Sequence, residues 1–513
     1  MKINFTKILS LVLALILCLS TFVACGDNKT TAPSNNGTTG NGGGEGDKWP
    51  DYVVDEADDL AGITDDTIWV GNTAGTTGAL ASVGAPFNLG IQAAFAAYNK
   101  AGGYNGMKIA LKHYDDGGVA ENSTINLEKL IHEDEVFAIV GHFGSYAVDV
   151  TLEDLIDNEV PMIYAAAGNE VLLNENAQDL GEKGIFPVQP LNKTEGRMLI
   201  LRAFAPADKG GLGATKVGVI SNSNEASKSL LAGIKDEMNN LPADKKANVL
   251  IQEVSSGDYS AAVNALKAAG CDTVILTVIG ADYLTTLTTM ANAGMTCNVL
   301  TSYNNASAAT FNKDNVMQDQ YVPIFQNMKI FAQAWLDITS AEYLYKDDSS
   351  ALYQKYKALA LVYTKDADGK PVEVGVAGFK PEYWTVANNI YDYVNSVSDP
   401  TVKATAFAMS YDAYALAGYI AGDLFCQAME ELEKSELPLA RANLVAILES
   451  KEYQIAMADM LGFANGMRSG VQSFALTWVF DANALDPSAS HAATSVTVHG
   501  LMSIEEYRSL LNQ

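Results

Sequence analysis

The sequence contains few cysteines, histidines and basic residues, and each of these shortages excludes a class of protein or site. Five cysteines in 513 residues are too few and too scattered for a disulfide framework. Lysine and arginine number 33 against 61 acidic residues, and the formal net charge of −28 excludes nucleic acid as a direct partner because two polyanions repel each other. The histidines are not spaced as metal ligands, so we predict neither a metal site nor a cofactor; they are His113, His132, His142, His491 and His499.

The body of the chain also lacks a membrane-spanning pattern and a catalytic motif. The apolar stretch Tyr411–Met429 contains Asp412 and Asp423, and therefore predicts a buried helix. The motifs G-x-S-x-G and H-E-x-x-H and the Walker loop are missing, so the sequence does not predict an enzyme. Two acidic segments, at 114–116 and 366–369, are interpreted as a capping segment and a hairpin turn, with cation binding as the alternative.

The first 65 residues predict export and membrane attachment. Lys2 and Lys7 accompany a short apolar run, and the following T-F-V-A-C-G resembles the lipobox of bacterial lipoproteins, so we interpret residues 1–24 as a signal peptide and Cys25 as the lipid attachment site. The alternative is conventional cleavage near Ala24 with an incidental thiol. Residues 25–65 begin with a Gly-, Asn- and Thr-rich stretch that predicts a flexible tether. We therefore expect a protein lipid-anchored to the cell membrane on its extracytoplasmic face.

Strand and helix patterns alternate in two successive series. The first runs from Thr67 to Tyr164, and the second begins after Pro187 and Pro190 and runs to about residue 302. Alternation of this kind predicts an α/β fold with two doubly wound, parallel-sheet lobes. The remaining third predicts helices at about 325–358, 383–397, 410–433, 440–450 and 453–461, and a hairpin that turns at Asp368-Gly369.

Four segments carry a resemblance to a known family. They are T-G-A-L-A-S-V-G-A-P-F-N-L-G-I-Q-A-A-F-A-A-Y-N-K-A-G-G-Y-N-G-M-K-I from Thr77, H-Y-D-D from His113, I-V-G-H-F-G-S from Ile139 and V-P-M-I-Y-A-A-A-G-N from Val160. In order and spacing the stretch 67–305 resembles the leucine/isoleucine/valine-binding family of ABC-transporter solute-binding lipoproteins, which have the periplasmic-binding-protein-like type I fold. The resemblance implies reversible capture of a small-molecule ligand and delivery to ABC-transporter permease subunits.

The expected architecture has two lobes joined by a multi-segment hinge. We assign residues 66–190 and 326–465 to lobe 1 and residues 191–325 and 466–513 to lobe 2, with three crossovers between them. Cys271 and Cys297 each precede a predicted strand of the same sheet, so a bridge between them is an alternative to the buried free thiols that we expect.

The resemblance implies ligand-binding residues after the third and fourth strands. Ser145 matches the family's serine, Ala166 an amide donor and Gly168 the position of a threonine, whose missing hydroxyl Asn169 would replace. Independently of the resemblance, a serine that opens a helix after a strand combines a hydroxyl with free amides, an arrangement that stabilises an anion. The alternative is a simple N-cap serine.

The second half of the family's site is not retained. The family's ammonium-binding glutamate aligns with Tyr303, and its aromatic contacts align with Val83, Ala226 and Ile279. Asp282 is a substitute acid, or else the N-terminal charge of its helix. Together with Tyr164, the predicted site residues Tyr303, Asn304 and Tyr146 form a pocket for a flatter or uncharged solute, unless they are ordinary packing residues.

These features predict a solute-binding receptor of an ABC importer that captures an amino acid or a related carboxylate or amide compound. One alternative is a sensory receptor that signals through a membrane partner. A second is an acyl-hydrolase that uses Ser145, with His142 interpreted as a loop residue near the cleft.

Overall fold

The computed structural model describes residues 49–58, 62–174, 176–305, 323–325, 327–344, 377–379, 381–410, 412–479 and 495–512. The predicted signal peptide, Cys25 and the hairpin at 368–369 lie outside the described residues. Of the predicted tether, residues 49–58 and 62–65 are described. In the described part of the chain, no helix has the length and apolar character that a membrane crossing requires.

The first lobe is built on a five-stranded parallel sheet in the order β2-β1-β3-β4-β5. Its central strands are buried on both faces, as in β3, where all five residues are buried, because helices cover both sides of a doubly wound sheet. The strands are β1 (Thr67–Ala74), β2 (Lys108–Asp115), β3 (Ile139–Phe143), β4 (Met162–Ala166) and β5 (Ile185–Phe186). The intervening helices are α1 (Ala81–Ala101), α2 (Ala120–His132), α3 (Ser145–Asp157) and α4 (Leu180–Lys183).

The second lobe is built on a seven-stranded sheet in the order β16-β15-β10-β9-β8-β6-β7. Five strands are parallel, and β15 and β16 add an antiparallel edge. The strands are β6 (Val217–Asn222), β7 (Val249–Val254), β8 (Thr273–Leu276), β9 (Cys297–Thr301), β10 (Met328–Ala334), β15 (Ser473–Val479) and β16 (Ser495–Ser503). The helices are α5 (Asn192–Phe204), α6 (Glu225–Glu237), α7 (Ala243–Lys246), α8 (Ser260–Ala269), α9 (Ala281–Asn292) and, at the C-terminus, α15 (Ile504–Leu511).

The remaining elements lie between β10 and β15 in the chain. They are the short strands β11 (Thr339–Leu344), β12 (Ala377–Phe379), β13 (Glu452–Gln454) and β14 (Met460–Gly462), and the helices α10 (Pro381–Ser396), α11 (Pro400–Ala404), α12 (Ala406–Ser410), α13 (Ala413–Ser435) and α14 (Arg441–Ser450). The long helix α13 packs against α1 at two glycines. A Cβ at Gly90 would overlap the Ala415 carbonyl oxygen, and one at Gly418 would overlap that of Phe87. The two helices therefore approach with backbone against backbone.

The chain passes between the two sheets after β5, after β10 and before β15. The first and third passages run side by side, since the Val471 amide donates to the Val188 carbonyl at 2.8 Å and the Thr194 hydroxyl to the Ser469 carbonyl at 3.4 Å. Beside the second passage, the Asp337 amide donates to the Met457 carbonyl at 2.6 Å. The predicted α/β class with two parallel-sheet lobes and a multi-segment hinge is confirmed.

Two predicted helices are wrong. The described part of the range 325–358 contains β10 and β11, whereas residues 326 and 345–358 lie outside the described residues. The range 453–461 contains two of the three residues of β13 and two of the three of β14, which pair as a hairpin. In β10, buried Met328, Ile330 and Ala332 alternate with exposed Lys329 and partly buried Phe331, which is the period of a strand, and Gln333 is buried at the end of this series. Because β10 pairs with β9, residues 328–334 belong to the second sheet, whereas the predicted boundary placed them in lobe 1.

Residues 49–58, which the prediction assigns to the tether, pack on the body of the protein. Asn443 of α14 holds Val54 by two hydrogen bonds of 2.9 Å, one to its amide and one to its carbonyl. The Tyr52 hydroxyl donates to Glu449 at 2.7 Å, and the Asp58 amide to the Leu439 carbonyl at 3.0 Å. Residues 49–58 are therefore docked on α14 and the segment that precedes it.

The three cysteines in the described part of the chain are free thiols, and all are buried. They are Cys271, Cys297 and Cys426. Burial raises the pKa of the Cys297 thiol to about 12 and that of Cys426 well above its ordinary value. The expected free thiols are thus found, and the alternative bridge between Cys271 and Cys297 is not.

Candidate functional site

Ser145 opens α3 at the carboxyl end of β3. Gly144, which has φ of 98°, is the N-cap, so Ser145 is the first helical residue and not a capping serine. Its side chain is exposed, and the Ala147 amide is already bonded to the Gly144 carbonyl at 3.1 Å, so the amides of Ser145 and Tyr146 are the ones left at the open end of the helix. The Gly144 amide donates to the Ala166 carbonyl at 3.3 Å, which joins the ends of β3 and β4. A hydroxyl, unpaired amides and a helix N-terminus therefore meet at one edge, a combination that suits an anionic or polar group.

Tyr146 is held over Gly144 by a buried acid. A Cβ at residue 144 would overlap the Tyr146 ring, so only glycine permits this position of the ring. The Tyr146 hydroxyl donates to Asp116 Oδ1 at 2.7 Å, and burial raises the pKa of the phenol. Asp116 is fully buried and also accepts from the hydroxyls of Thr73 and Ser123 at 2.9 and 3.0 Å. Asp116 thus fixes the side chain next to Ser145.

Asn169 lies beside Ser145, and Gly168 lies against another element. The side-chain Nδ2 of Asn169 donates to Asp149 Oδ1 at 2.5 Å and more weakly to the Ser145 carbonyl at 3.5 Å. Its Oδ1 is buried and has no hydrogen-bond partner. A Cβ at Gly168 would lie 3.0 Å from Asn192 Oδ1, at the start of α5. Four of the predicted residues, Ser145, Ala166, Gly168 and Asn169, therefore occupy one edge of the first sheet.

Asp282 lies at the carboxyl edge of the second sheet, in the first turn of α9. Asn222, the last residue of β6, donates from Nδ2 to Asp282 Oδ2 at 2.8 Å and to the Tyr259 hydroxyl at 3.1 Å. The structure joins Asp282 to this group and not to Ser145. Its position also fits the alternative interpretation, a negative charge at a helix N-terminus.

Tyr303 and Asn304 lie on a single 3₁₀ turn, Tyr303–Asn305, after β9. The Tyr303 amide donates to Glu195 Oε1 at 2.8 Å, and its hydroxyl donates to the Pro190 carbonyl in the first passage at 3.2 Å. Burial is the main cause that raises the pKa of the Tyr303 phenol. The nearby phenols of Tyr164 and Tyr414 raise this pKa further. Tyr303 therefore connects the second sheet with the passage between the lobes.

Tyr164 and His142 are core residues. Tyr164 is fully buried, packs on the Phe87 ring at a centroid distance of 5.8 Å, and donates to Gln189 at 3.0 Å. His142 is a fully buried residue of β3, bonded through Nε2 to the Thr151 hydroxyl at 2.8 Å, and burial lowers its pKa to about 4. The interpretation of His142 as a loop residue is wrong, because it occupies the strand that precedes Gly144.

The acidic residues after β2 fix loops. Asp115 accepts from the amides of Thr76 and Thr77, which together with the Thr77 hydroxyl lower its pKa to about 2 despite the opposing effect of desolvation. Asp116 accepts from the Gly118 amide at 2.8 Å, which agrees with the predicted capping role. No group of three His, Cys, Asp or Glu side chains within the described ranges is arranged to hold a metal ion.

A comparison with protein families decides what kind of protein this is. The family model described as "Periplasmic binding protein" matches residues 67–367, more than half of the chain. The chain belongs to the periplasmic binding protein family.

Relatives and solved structures agree with this membership. The chain is 27% identical over 203 residues to an "Amino acid binding protein" of Pseudomonas aeruginosa, a match that covers 39% of this chain and 50% of the relative. It is 25% identical over 224 residues to "Leu/Ile/Val-binding protein homolog 2" of Brucella abortus, covering 42% and 55%. The chain thus matches about half the length of these relatives.

The fold resembles that of a branched-chain amino acid ABC transporter structure from Thermus thermophilus with bound valine. The TM-score is 0.56 at 11% identity, over 88% of this chain and all of that one. At such low identity the likeness supports the periplasmic binding protein fold and says nothing of the ligand.

Sequence reasoning missed Glu195 and the position-fixing role of Asp116. Glu195 belongs to the first turn of α5, yet it is fully buried and bonded to residues 302 and 303. Burial raises its pKa to about 7, against the lowering effect of its hydrogen bonds. An acidic residue in the first turn of a helix is common and does not by itself indicate a site. The partners of Glu195, residues 302 and 303, follow β9 and become apparent only in the folded structure.

Proposed function

We propose that this periplasmic binding protein is an extracytoplasmic receptor that captures a small solute between its lobes and delivers it to an ABC importer. The observation that carries the proposal is the pair of parallel sheets joined by three passages, two of which run side by side, with polar side chains and helix N-termini at the carboxyl edges of the sheets. In open parallel sheets ligands bind at that edge, and neighbouring passages permit hinge closure.

The proposed ligand is an amino acid or a related carboxylate or amide compound. Ser145, the first-turn amides of α3 and Ala166 would bind its acidic or polar end, and Asn169 supports this edge through Asp149. On the facing lobe, Asp282, Tyr303 and Asn304 would contact the remainder of the solute. A cation buried in the closed site would need an acid, and Asp282 is the proposed partner.

The proposed location follows from the N-terminal segment. Lipidation of Cys25 and a tether that ends where residues 49–58 dock on α14 would keep the receptor close to a permease. A sensory receptor with the same lobes is the alternative, and uptake of the solute in cells with and without the protein separates transport from sensing.

Acyl-hydrolase chemistry at Ser145 has little support. His142, which lies three residues before Ser145, is buried, bonded to Thr151 and held neutral by its low pKa. Hydrolysis of activated esters that is abolished by Ser145→Ala would favour the enzyme instead.

A thermal-shift screen tests the receptor proposal. Amino acids, short peptides, amides and aromatic acids are tested, and one class should raise the melting temperature because it binds only the folded state. Ser145→Ala should weaken binding of the stabilising compound about tenfold, as expected for loss of a hydrogen bond to a charged group. Ser509→Ala is the control, because Ser509 is an exposed serine of α15. Unchanged affinity in Ser145→Ala would overturn the site assignment.

A further inference from the structure

The Ser302 hydroxyl is the centre of a fully occupied hydrogen-bond network. It donates to Glu195 Oε2 at 2.7 Å, and it accepts from the Asn304 backbone amide and from Asn304 Nδ2, both at 3.1 Å. A hydroxyl has one proton to donate and two lone pairs to accept with. Both lone pairs of the Ser302 hydroxyl are therefore occupied, and it cannot accept a further hydrogen bond unless an existing one breaks.

Glu195 is bonded to the same turn at a second point. Its other oxygen accepts from the Tyr303 amide at 2.8 Å, and the Tyr303 hydroxyl reaches the Pro190 carbonyl. Glu195 is buried in the first turn of α5, directly after the first passage between the lobes. One carboxylate thus holds both candidate ligand contacts of the turn, Tyr303 through its backbone and Asn304 through Ser302.

We propose that Glu195 is a positioning residue whose ionised form fixes Tyr303 and Asn304 at the solute site and whose protonation releases the Asn304 side chain. This inference rests on the proposed function, because only that function makes Tyr303 and Asn304 part of a solute site. The hydrogen-bonded series Glu195, Ser302 and Asn304, called the relay below, can nevertheless be tested without a solute. A protonated Glu195 would have to donate to Ser302, which already accepts twice, so the new bond displaces the bond from Asn304 Nδ2. The displacement is the signature of the relay.

Other titratable groups lie close to this network. The phenols of Tyr303, Tyr164 and Tyr414 have pKa values raised by burial, so they stay neutral near pH 7. Asp412, which caps α13 and acts on Tyr414, has its pKa raised to about 6 by burial. The charged residues that flank Glu195 on α5, Lys193 and Arg197, pair with Asp236. Asp412 is therefore the group that must be distinguished from Glu195.

Side-chain NMR of protein selectively labelled with ¹⁵N-asparagine tests the relay. Between pH 5.5 and 8.5 the Nδ2 resonances of Asn304 should shift with a single midpoint near 7, in line with the pKa of about 7 for Glu195. In Glu195→Gln they should be independent of pH and stay near the low-pH wild-type position, because the glutamine amide donates to Ser302 as a protonated acid would. Asn305 is the internal control, since its Nδ2 donates to Val278 and Thr301 instead.

Two variants keep the relay testable if Glu195→Gln folds poorly. Ser302→Ala should abolish the Asn304 titration while the Tyr303 backbone amide, which bonds directly to Glu195, still titrates. Asp412→Asn should leave the Asn304 titration unchanged. The relay is overturned if Asn304 does not titrate in the wild type, if it still titrates in Glu195→Gln or Ser302→Ala, or if Asp412→Asn removes the midpoint. None of these outcomes depends on finding the solute, so they are separate from failure of the receptor proposal.

Discussion

At the scale of single residues, Glu195 combines its proposed positioning role with a measurable effect on stability. Its pKa is about 7 in the folded protein, above the ordinary value of about 4.5, because burial disfavours the charged form. When folding raises the pKa of a group, that group stabilises the folded protein fully at pH values below its pKa in the unfolded chain. This contribution is lost as the pH rises through the pKa that the group has in the folded protein. The free energy of unfolding therefore falls as the pH rises from about 4.5 to about 7, and the contribution of Glu195 is lost above that.

We expect Glu195→Gln to be more stabilising at pH 8 than at pH 5, relative to the wild type. The difference should be about 2 kcal/mol, from a pKa rise of between two and three units. Urea unfolding at the two pH values measures it, and Glu452→Gln is the control because Glu452 is exposed. Equal effects at both pH values would mean that Glu195 is not protonated in this range.

The placement of the first half of the proposed site could be predicted at this scale, and that of the second half only in part. Ser145 and Asn169 follow strands of a regular alternating series, so the strand ends place them at one edge. Glu195 and Ser302 are 107 residues apart, and no local pattern links them. Their contact depends on the register of β9 and the docking of α5, which are tertiary properties.

At the scale of elements, α1 and α13 pack with backbone against backbone. Gly90 and Gly418 permit this approach because a side chain at either position would meet a carbonyl oxygen of the other helix. Backbone atoms cannot move aside as a flexible side chain can, so the interface tolerates no added atoms here.

Gly418→Ala should lower the free energy of unfolding by about 2 kcal/mol overall, since overpacking costs about 1–3 kcal/mol and backbone obstruction lies at the upper end. The gain in helix propensity from glycine to alanine, about 1 kcal/mol, only partly offsets this. Chemical unfolding measures the change, with Gly500→Ala as the control, because the nearest atom to a Cβ there is 3.6 Å away. A stabilised Gly418→Ala would contradict the packing.

Elements that alternate regularly could be predicted, and those determined by a distant partner could not. The helices near 383–397, 410–433 and 440–450 are found as α10, α13 and α14. By contrast, β10 and β13 are short segments whose apolar residues fit either period, and pairing with β9 or β14 selects the strand. Tertiary pairing overrides local preference in such segments.

At the scale of the whole molecule, the docked segment 49–58 fixes the N-terminal end of the described chain against α14. Tyr52 meets Glu449, which also pairs with the buried Arg468 at 2.8 Å, and Arg468 directly precedes Ser469 of the third passage. The segment is therefore connected through two side chains to a passage of the hinge.

A variant that begins at residue 62 should be less stable than one that begins at residue 49. The loss should be about 2–4 kcal/mol, because four hydrogen bonds from residues 52, 54 and 58 are removed at about 1 kcal/mol each. Unfolding curves of the two variants measure it, and Tyr52→Phe in the longer variant should account for about 1 kcal/mol. Equal stabilities would mean that the segment is not docked.

The buried thiols make this receptor suited to site-specific fluorescence labelling. In a variant that begins at residue 49, the native cysteines are Cys271, Cys297 and Cys426, all buried and with raised pKa values. Maleimide dyes react with exposed thiolates, so these three thiols would remain unmodified in the folded protein. A cysteine introduced on either lobe would then be the single labelled position, and a dye there would report lobe closure without removal of any native cysteine.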